Sequence, residues 1–241
     1  MMLLEGKTAF ITGTNRGIGF ALVEKFSQEG ATVIAHARKT NAEHEDNLLK
    51  ISNKYNNSII PVYFDMQDIA GMRAEVKAVL SKVDNIDFLV NNAGVSSWQL
   101  FPMTKVQTIR DEFEVNLFSP MELTQIVLRK MMKQGYGSIV NMRSIAAIEI
   151  CPGNCAYGVS KAAVKMWTEV LASEVGQFGI RVNAVVLGMT NTDMARQIEE
   201  KSRTRDASFV SALKRLDEPE EIANAVIFCV LTMLRLLMDI R

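Results

Sequence analysis

Short β-rich apolar runs alternate with longer stretches of helical periodicity along this chain. The first forty residues hold the run KTAFITG, then apolar positions at helical spacing from Ile18 to Phe26, then ATVIAHA, which predicts strand, helix, strand. The alternation continues with a helix around Glu43 to Tyr55, a strand at SIIPVYF, a helix near Met72 to Val83 and a strand at IDFLVNNAG. A long helix from about Arg110 to Lys133 is predicted next, then a strand at GSIVNMRS, a helix from about Cys155 to Gln177 and a strand at IRVNAVV. Strands separated by helices specify a parallel sheet, and right-handed crossovers put helices on both of its faces. The expected fold is therefore α/β, a doubly wound parallel sheet with its ligands at the carboxyl edge. No linker, repeat or shift in composition divides the chain, so residues 1–241 are expected to form a single domain.

Composition narrows the function more than the fold. With 48% hydrophobic and 22% charged residues the chain is ordinary globular material. Twenty-seven basic residues balance twenty-seven acidic ones, leaving no basic field for a polyphosphate, so nucleic acid is not an expected partner. Cys151, Cys155 and Cys229 form no CxxC pair, and His36 and His44 are too few and too scattered for a zinc site. A metal-free protein of the reducing cytoplasm is expected. Glu5 and Lys7 break the apolar start, so no signal peptide is expected, and the run Ala225 to Leu234 falls far short of the roughly 20 residues a membrane span requires. That run is expected to be a buried helix, and no membrane partner is expected.

Directly after the first strand comes Thr12-Gly13-Thr14-Asn15-Arg16-Gly17-Ile18-Gly19, running into a helix. Glycines there let the backbone turn tightly and let a diphosphate approach the helix N-terminus, whose free N–H groups and dipole favour anions. The bland alternative is a tight strand-to-helix turn. After the second strand, His36-Ala37-Arg38-Lys39 stands where a carboxylate would hold a free ribose 2′-hydroxyl. Cations there suit a 2′-phosphate, with Arg16 directed to the same region; solvated surface cations are the alternative.

Tyr157 and Lys161 lie four apart in AYGVSKAAVKMW, on one face of one helix. An adjacent ammonium is expected to favour the phenolate and so to lower the phenol from its ordinary pKa of about 10. Ser144 ends the strand GSIVNMRS at the ligand edge and can hydrogen-bond a carbonyl. Asn116, in FEVNLFSP, carries an amide among apolar neighbours and needs partners. Singly, these residues also fit an exposed helix pair, a turn serine and a helix cap or kink.

Their order is more specific. The GxxxGxG loop, Asn91-Asn92-Ala93-Gly94, Asn116, Ser144 and Tyr157, thirteen residues beyond Ser144, resemble the short-chain dehydrogenase/reductase family from about Lys7 to Phe228. The resemblance implies a Rossmann-like fold and an NADP(H)-dependent oxidoreductase acting on C=O or CH–OH groups. It makes Tyr157 the acid, Ser144 the group that polarises the carbonyl, Lys161 a ribose ligand and Asn116 the holder of a relay water. It places cofactor contacts at Gly13, Thr14, Asn15, Arg16, Gly17, Ile18, Gly19, Arg38, Asp65, Asn91, Ala93, Gly94, Tyr157, Lys161, Gly188, Thr190 and Thr192.

The stretches TGTNRGIG, LVNNAGV, EVNL, RKMMKQGYGSIVNMRS, YGVSKAAV and RLDEPEEIANAVIF look like bacterial 3-oxoacyl-[acyl-carrier-protein] reductases. They imply reduction of a 3-oxoacyl thioester in fatty acid biosynthesis, with an acyl carrier protein as partner and a homo-oligomer, dimer or tetramer, as the working form. Arg129 matches one carrier-facing arginine, whereas Ser173 stands at the other. A sugar or secondary-alcohol dehydrogenase shares the same catalytic set. Leu187 replaces the family's usual proline before Gly188 and is expected to weaken cofactor binding. After Phe228 the chain reads CVLTMLRLLMDIR, so the family's last edge strand is expected to be missing or altered, either by a divergent helix or by a shifted reading frame. These two departures motivate a further alternative, an NADP-binding protein with little activity.

Overall fold

The computed structural model describes residues 2–196 and 214–231. Six parallel strands, β1 (Thr8–Thr12), β2 (Thr32–Ala37), β3 (Ile59–Tyr63), β4 (Phe88–Asn91), β5 (Gly137–Ser144) and β6 (Ile180–Leu187), form one sheet in the order β3-β2-β1-β4-β5-β6. The chain reverses direction across the sheet between β1 and β4, which are paired from Ala9↔Phe88 to Ile11↔Val90. Such a switch point opens a crevice beyond the carboxyl ends of its strands.

The β-branched and aromatic side chains of these strands alternate between two cores. On one face Ile11, Val33, Val90, Val140 and Met142 pack against α1 (Gly17–Gln28), α2 (Ala42–Tyr55) and α7 (Pro219–Val230). On the other, Phe10, Ile34, Leu89, Ile139 and Val182 meet α3 (Ile69–Leu80), α5 (Ser119–Gln134) and α6 (Cys155–Val175). Both faces are covered, as an all-parallel sheet requires. Among the described residues no helix is long and apolar enough to cross a membrane.

The sequence predicted one helix from about Arg110 to Lys133, and here the chain differs. Helix α4 (Val106–Phe113) and α5 are joined by a π-helical turn over Glu114–Phe118. Period-3.6 reasoning has no place for the wider turn, which inserts into an otherwise continuous helix and is common at functional sites. Strand β6 runs one residue past the predicted IRVNAVV because Leu187, unlike a proline, keeps the N–H of a regular strand residue and pairs in register with Ser144. The apolar run predicted as a helix from Ala225 is helical to Val230. The expectation of a missing or altered last strand falls on residues 232–241, outside the described residues, as does most of the segment after β6 at residues 197–213.

Candidate active site

The glycine loop joins β1 to α1 beneath the switch point. Gly13 has φ +73°, and a Cβ on it would sit 2.9 Å from the Ala93 backbone; a Cβ on Gly19 would sit 1.9 Å from the Gly13 carbonyl oxygen. Neither position admits a side chain. At the N-cap of α1, Arg16 makes no side-chain capping bond, and the first turn holds no acidic residue. The helix therefore presents uncapped N–H groups, an arrangement suited to a diphosphate. The residues present fit a dinucleotide.

Behind the loop the histidines do something the sequence did not suggest. His36 is buried, stacks on Phe64 at 3.8 Å between ring centroids, and donates from Nε2 to the Phe64 carbonyl at 2.9 Å, leaving Nδ1 to accept from the Gly13 N–H at 3.3 Å. Burial lowers its pKa from 6.5 to about 4, so it is a neutral brace for the loop. Thr14 is buried too: its hydroxyl bonds the His36 carbonyl and His44, which ties the loop to β2 and α2 and turns the side chain away from the cleft.

Asn15, Arg16, Gly17, Ile18, Arg38 and Asp65 line the adenosine end of a cleft of about 630 Å³ together with the glycine loop. Arg38 is exposed at the end of β2, as a 2′-phosphate ligand would be. Arg16 lines the same cleft as Arg38 and already has an acidic partner there. Its guanidinium is ion-paired with Asp193 at 2.9 Å, because the segment after β6 brings Thr192 and Asp193 over the loop. Gly188 and Thr190 lie behind that segment, outside the cleft wall, with Thr190 bridged to Asp217.

Asn91 and Asn92, at the end of β4, divide their labour between the sheet and the cleft. Asn91 points inward, donating to Thr124 at 3.0 Å and Asn141 at 2.8 Å, while Asn141 donates to Thr168 at 2.9 Å. Its side chain locks β4 to β5 and α5 and is not on the cleft wall. Asn92 borders the cleft and donates to the Thr12 and Gly13 carbonyls at 2.8 and 3.2 Å. Ala93 and Gly94 continue the wall as predicted; a Cβ on Gly94 would reach within 3.3 Å of Asn116 Oδ1 and 3.6 Å of Lys161 Nζ.

Asn116 sits in the π-turn, 3% exposed, with its amide fully used. Its Oδ1 accepts from the Val95 N–H at 2.8 Å, and its Nδ2 donates to the Val95 carbonyl and the Ser160 hydroxyl at 2.9 and 3.1 Å. One turn earlier on the same face, Glu112 accepts from the Ser97 N–H. The two side chains thus clamp alternate residues of the segment after β4. The sequence IRDEFE reads as a solvated helix face, and Glu112 was missed for that reason.

The catalytic set is brought together as expected. Tyr157 and Lys161 rise from α6, both on the cleft wall, and Lys161 Nζ lies 5.7 Å from the Tyr157 ring centroid. Ser144, buried at the end of β5, accepts from the Ala146 N–H at 3.2 Å and lies near enough to the phenol to act on it. The electrostatics run against the sequence expectation. The phenol is pushed above its ordinary value, first by burial, with Ser144 opposing and the Glu112 carboxylate adding to the rise. Lys161 does not counter this, because burial lowers its own pKa to about 8 and its ammonium is spent on the Met142 carbonyl at 2.9 Å. A phenol that keeps its proton at neutral pH is in the form an acid needs.

A family model described as short chain dehydrogenase matches residues 7–203. The 3-oxoacyl-[acyl-carrier-protein] reductase of Thermotoga maritima is 38% identical over 227 residues, covering 94% of this chain and 91% of that protein. The 3alpha-hydroxysteroid dehydrogenase of Mediterraneibacter gnavus is 35% identical, covering 94% and 90%. Among solved structures, a 7 alpha-hydroxysteroid dehydrogenase complexed with NADH and 7-oxo glycochenodeoxycholic acid superimposes with a TM-score of 0.86 at 29% identity, covering 95% of this chain and 89% of that one. The L-sorbose reductase of Gluconobacter frateurii complexed with NADPH and L-sorbose gives a TM-score of 0.82 at 28% identity, covering 95% and 91%.

Proposed function

The chain belongs to the short-chain dehydrogenase/reductase family of oxidoreductases, and from that premise we propose that it reduces a ketone with NADPH, the substrate being a 3-oxoacyl thioester. The observation that carries the reaction type is the meeting of Tyr157 and Lys161, with Ser144 near the phenol, in the same cleft as an uncapped helix N-terminus. The glycine loop, Asp65 and Lys161 would hold the dinucleotide, with Arg38 on its 2′-phosphate. A bound dihydronicotinamide supplies the hydride. Ser144 donates a hydrogen bond to the carbonyl oxygen and orients it, and Tyr157 delivers its phenolic proton to that oxygen as negative charge develops. Asn116 keeps the wall after β4 in register with α6, so the phenol stays aligned.

Two loops at the carboxyl edge support an acyl substrate. The Gln99 N–H donates to the Gly153 carbonyl at 2.8 Å and joins them, and Leu100, Phe101, Met103, Ile148 and Ile150 stand exposed on them. An acyl chain would cover such apolar surface. The 3-oxoacyl reductases among the relatives support the same substrate. In this proposal Arg129, exposed on α5, faces an acidic carrier domain, and the working form is a cytoplasmic homo-oligomer. The test is loss of NADPH absorbance with a short 3-oxoacyl thioester. Turnover with NADH and not NADPH overturns the cofactor assignment, and turnover of simple ketones but no thioester overturns the substrate.

A further inference from the structure

Three residues lining the cleft each leave a buried polar atom without a partner among the described residues: Ser96 Oγ, Glu112 Oε2 and Arg143 Nε. Glu112 is the informative one. It is 3% exposed, one of its oxygens is fixed by the Ser97 N–H, and its second oxygen has nothing to accept from. Such an atom costs the folded protein stability unless a ligand completes it. It lines the same cleft as Tyr157. A carboxylate repels the phosphates of a dinucleotide, and in the function proposed above the ribose hydroxyls go to Lys161, so the missing donor is sought on the substrate. The other ligand that reaches Tyr157 is the ketone.

We propose that Glu112 is a specificity-determining residue whose free carboxylate oxygen accepts a hydrogen bond from an N–H or O–H group carried by the substrate near its reacting carbonyl. This rests on the carbonyl-reductase function proposed above. Two sources share that chemistry. In an acyl thioester of the pantetheine type it is the amide N–H of the thiol arm; in a hydroxylated ketone it is the neighbouring hydroxyl. Ketones with an ether or ester oxygen at the same place meet lone pairs with lone pairs and are turned away. A site built to pair a substrate donor discriminates strongly against an analogue that lacks it.

Glu112→Gln gives the test a sign. The Ser97 N–H continues to hold the side-chain oxygen, so the new amide nitrogen takes the place of the free oxygen and offers a donor where there was an acceptor. Two matched pairs of ketones are assayed with NADPH and with NADH. The first is acetoacetyl-N-acetylcysteamine against the acetoacetyl thioester of 2-mercaptoethyl acetate, which exchanges N–H for O. The second is hydroxyacetone against methoxyacetone. Wild type is expected to favour the donor-bearing member of one pair by at least about tenfold in kcat/KM, and Glu112→Gln to reverse that preference, a change that general loosening of the fold does not produce. The pair that responds identifies the source of the donor. Preferences that are the same in wild type and variant overturn the assignment to Glu112 while leaving the reductase function standing. A wild-type enzyme that reduces none of the four ketones overturns both.

Discussion

Lys161 exposes a conflict between stability and function that can be measured without any substrate. Its ammonium is 5% exposed, bonded to one carbonyl, and its pKa is lowered to about 8 from 10.5 by burial. A base whose folded value lies below its unfolded one destabilises the fold while charged. The cost is fully present below pH 8, shrinks as the folded protein gives up its proton above pH 8, and is gone by the unfolded value of 10.5. At pH 7 that displacement is worth about 3 kcal/mol. Lys161→Met removes the charge at similar volume but leaves the Met142 carbonyl short of a donor, which costs about 1 kcal/mol. The variant is therefore expected to be more stable than wild type by about 2 kcal/mol at pH 7, raising the thermal midpoint by about 5 °C, while reductase activity is lost. Urea denaturation of both proteins, free of cofactor and at one protein concentration, checks this between pH 7 and 10.5. A variant no more stable than wild type at pH 7, or a gap that does not close as pH rises, refutes the reasoning.

Tyr157→Phe is expected to abolish ketone reduction, by at least about 100-fold in kcat, with NADPH affinity retained in a fluorescence titration. Because the phenol sits above its ordinary value of 10.0, wild-type kcat/KM for reduction should stay flat across neutral pH and decline only above pH 10; a decline near pH 7 would contradict the burial of Tyr157. Arg38→Ala should weaken NADPH binding by about 10- to 100-fold and leave NADH unchanged, and calorimetry showing equal effects on both would remove Arg38 from the 2′-phosphate. Gly19→Ala drives a Cβ against the Gly13 carbonyl and should cost about 100-fold in NADPH affinity, read alongside circular dichroism to confirm folding. His36 is neutral in the fold down to about pH 4 against 6.5 when unfolded, so stability is full above pH 6.5 and falls by up to about 3 kcal/mol as pH drops toward 4. His36→Gln should flatten that part of the curve, and an unchanged slope would show that another group is responsible.

Where one physical rule governs a residue, the sequence was sufficient. GSIVNMRS is strand β5 to the residue, since a short run holding the β-branched pair Ile139-Val140 after Gly137 is too brief for a buried helix and follows a helix already ended at a glycine. The glycine loop was legible because its spacing leaves no room for Cβ atoms. Asn116 was placed in the site, but not the turn that aims it, because a π-turn differs from an α-helix by one residue in five and leaves no mark in hydrophobic periodicity. Asn92 was given no role for a similar reason: adjacent strand residues face opposite ways, and which one faces the cleft depends on where β4 stops. His36 and Glu112 were given no role in the site because residue type alone does not show burial, and only the tertiary fold shows that each accepts from a backbone N–H.

The irregular turn at Glu114–Phe118 gives one helical rod two phases. An α-helix advances about 100° per residue, so one surplus residue lets the segment before the turn face α6 while the segment after it faces α3. Deleting Val115 would restore a smooth rod of better local geometry and swing everything upstream by about a quarter of a revolution. The clamp on Val95 and Ser97 would then point into empty space. Evolution working on this scaffold can trade side chains freely along either half, but it cannot mend the seam without dismantling the wall behind the chemistry.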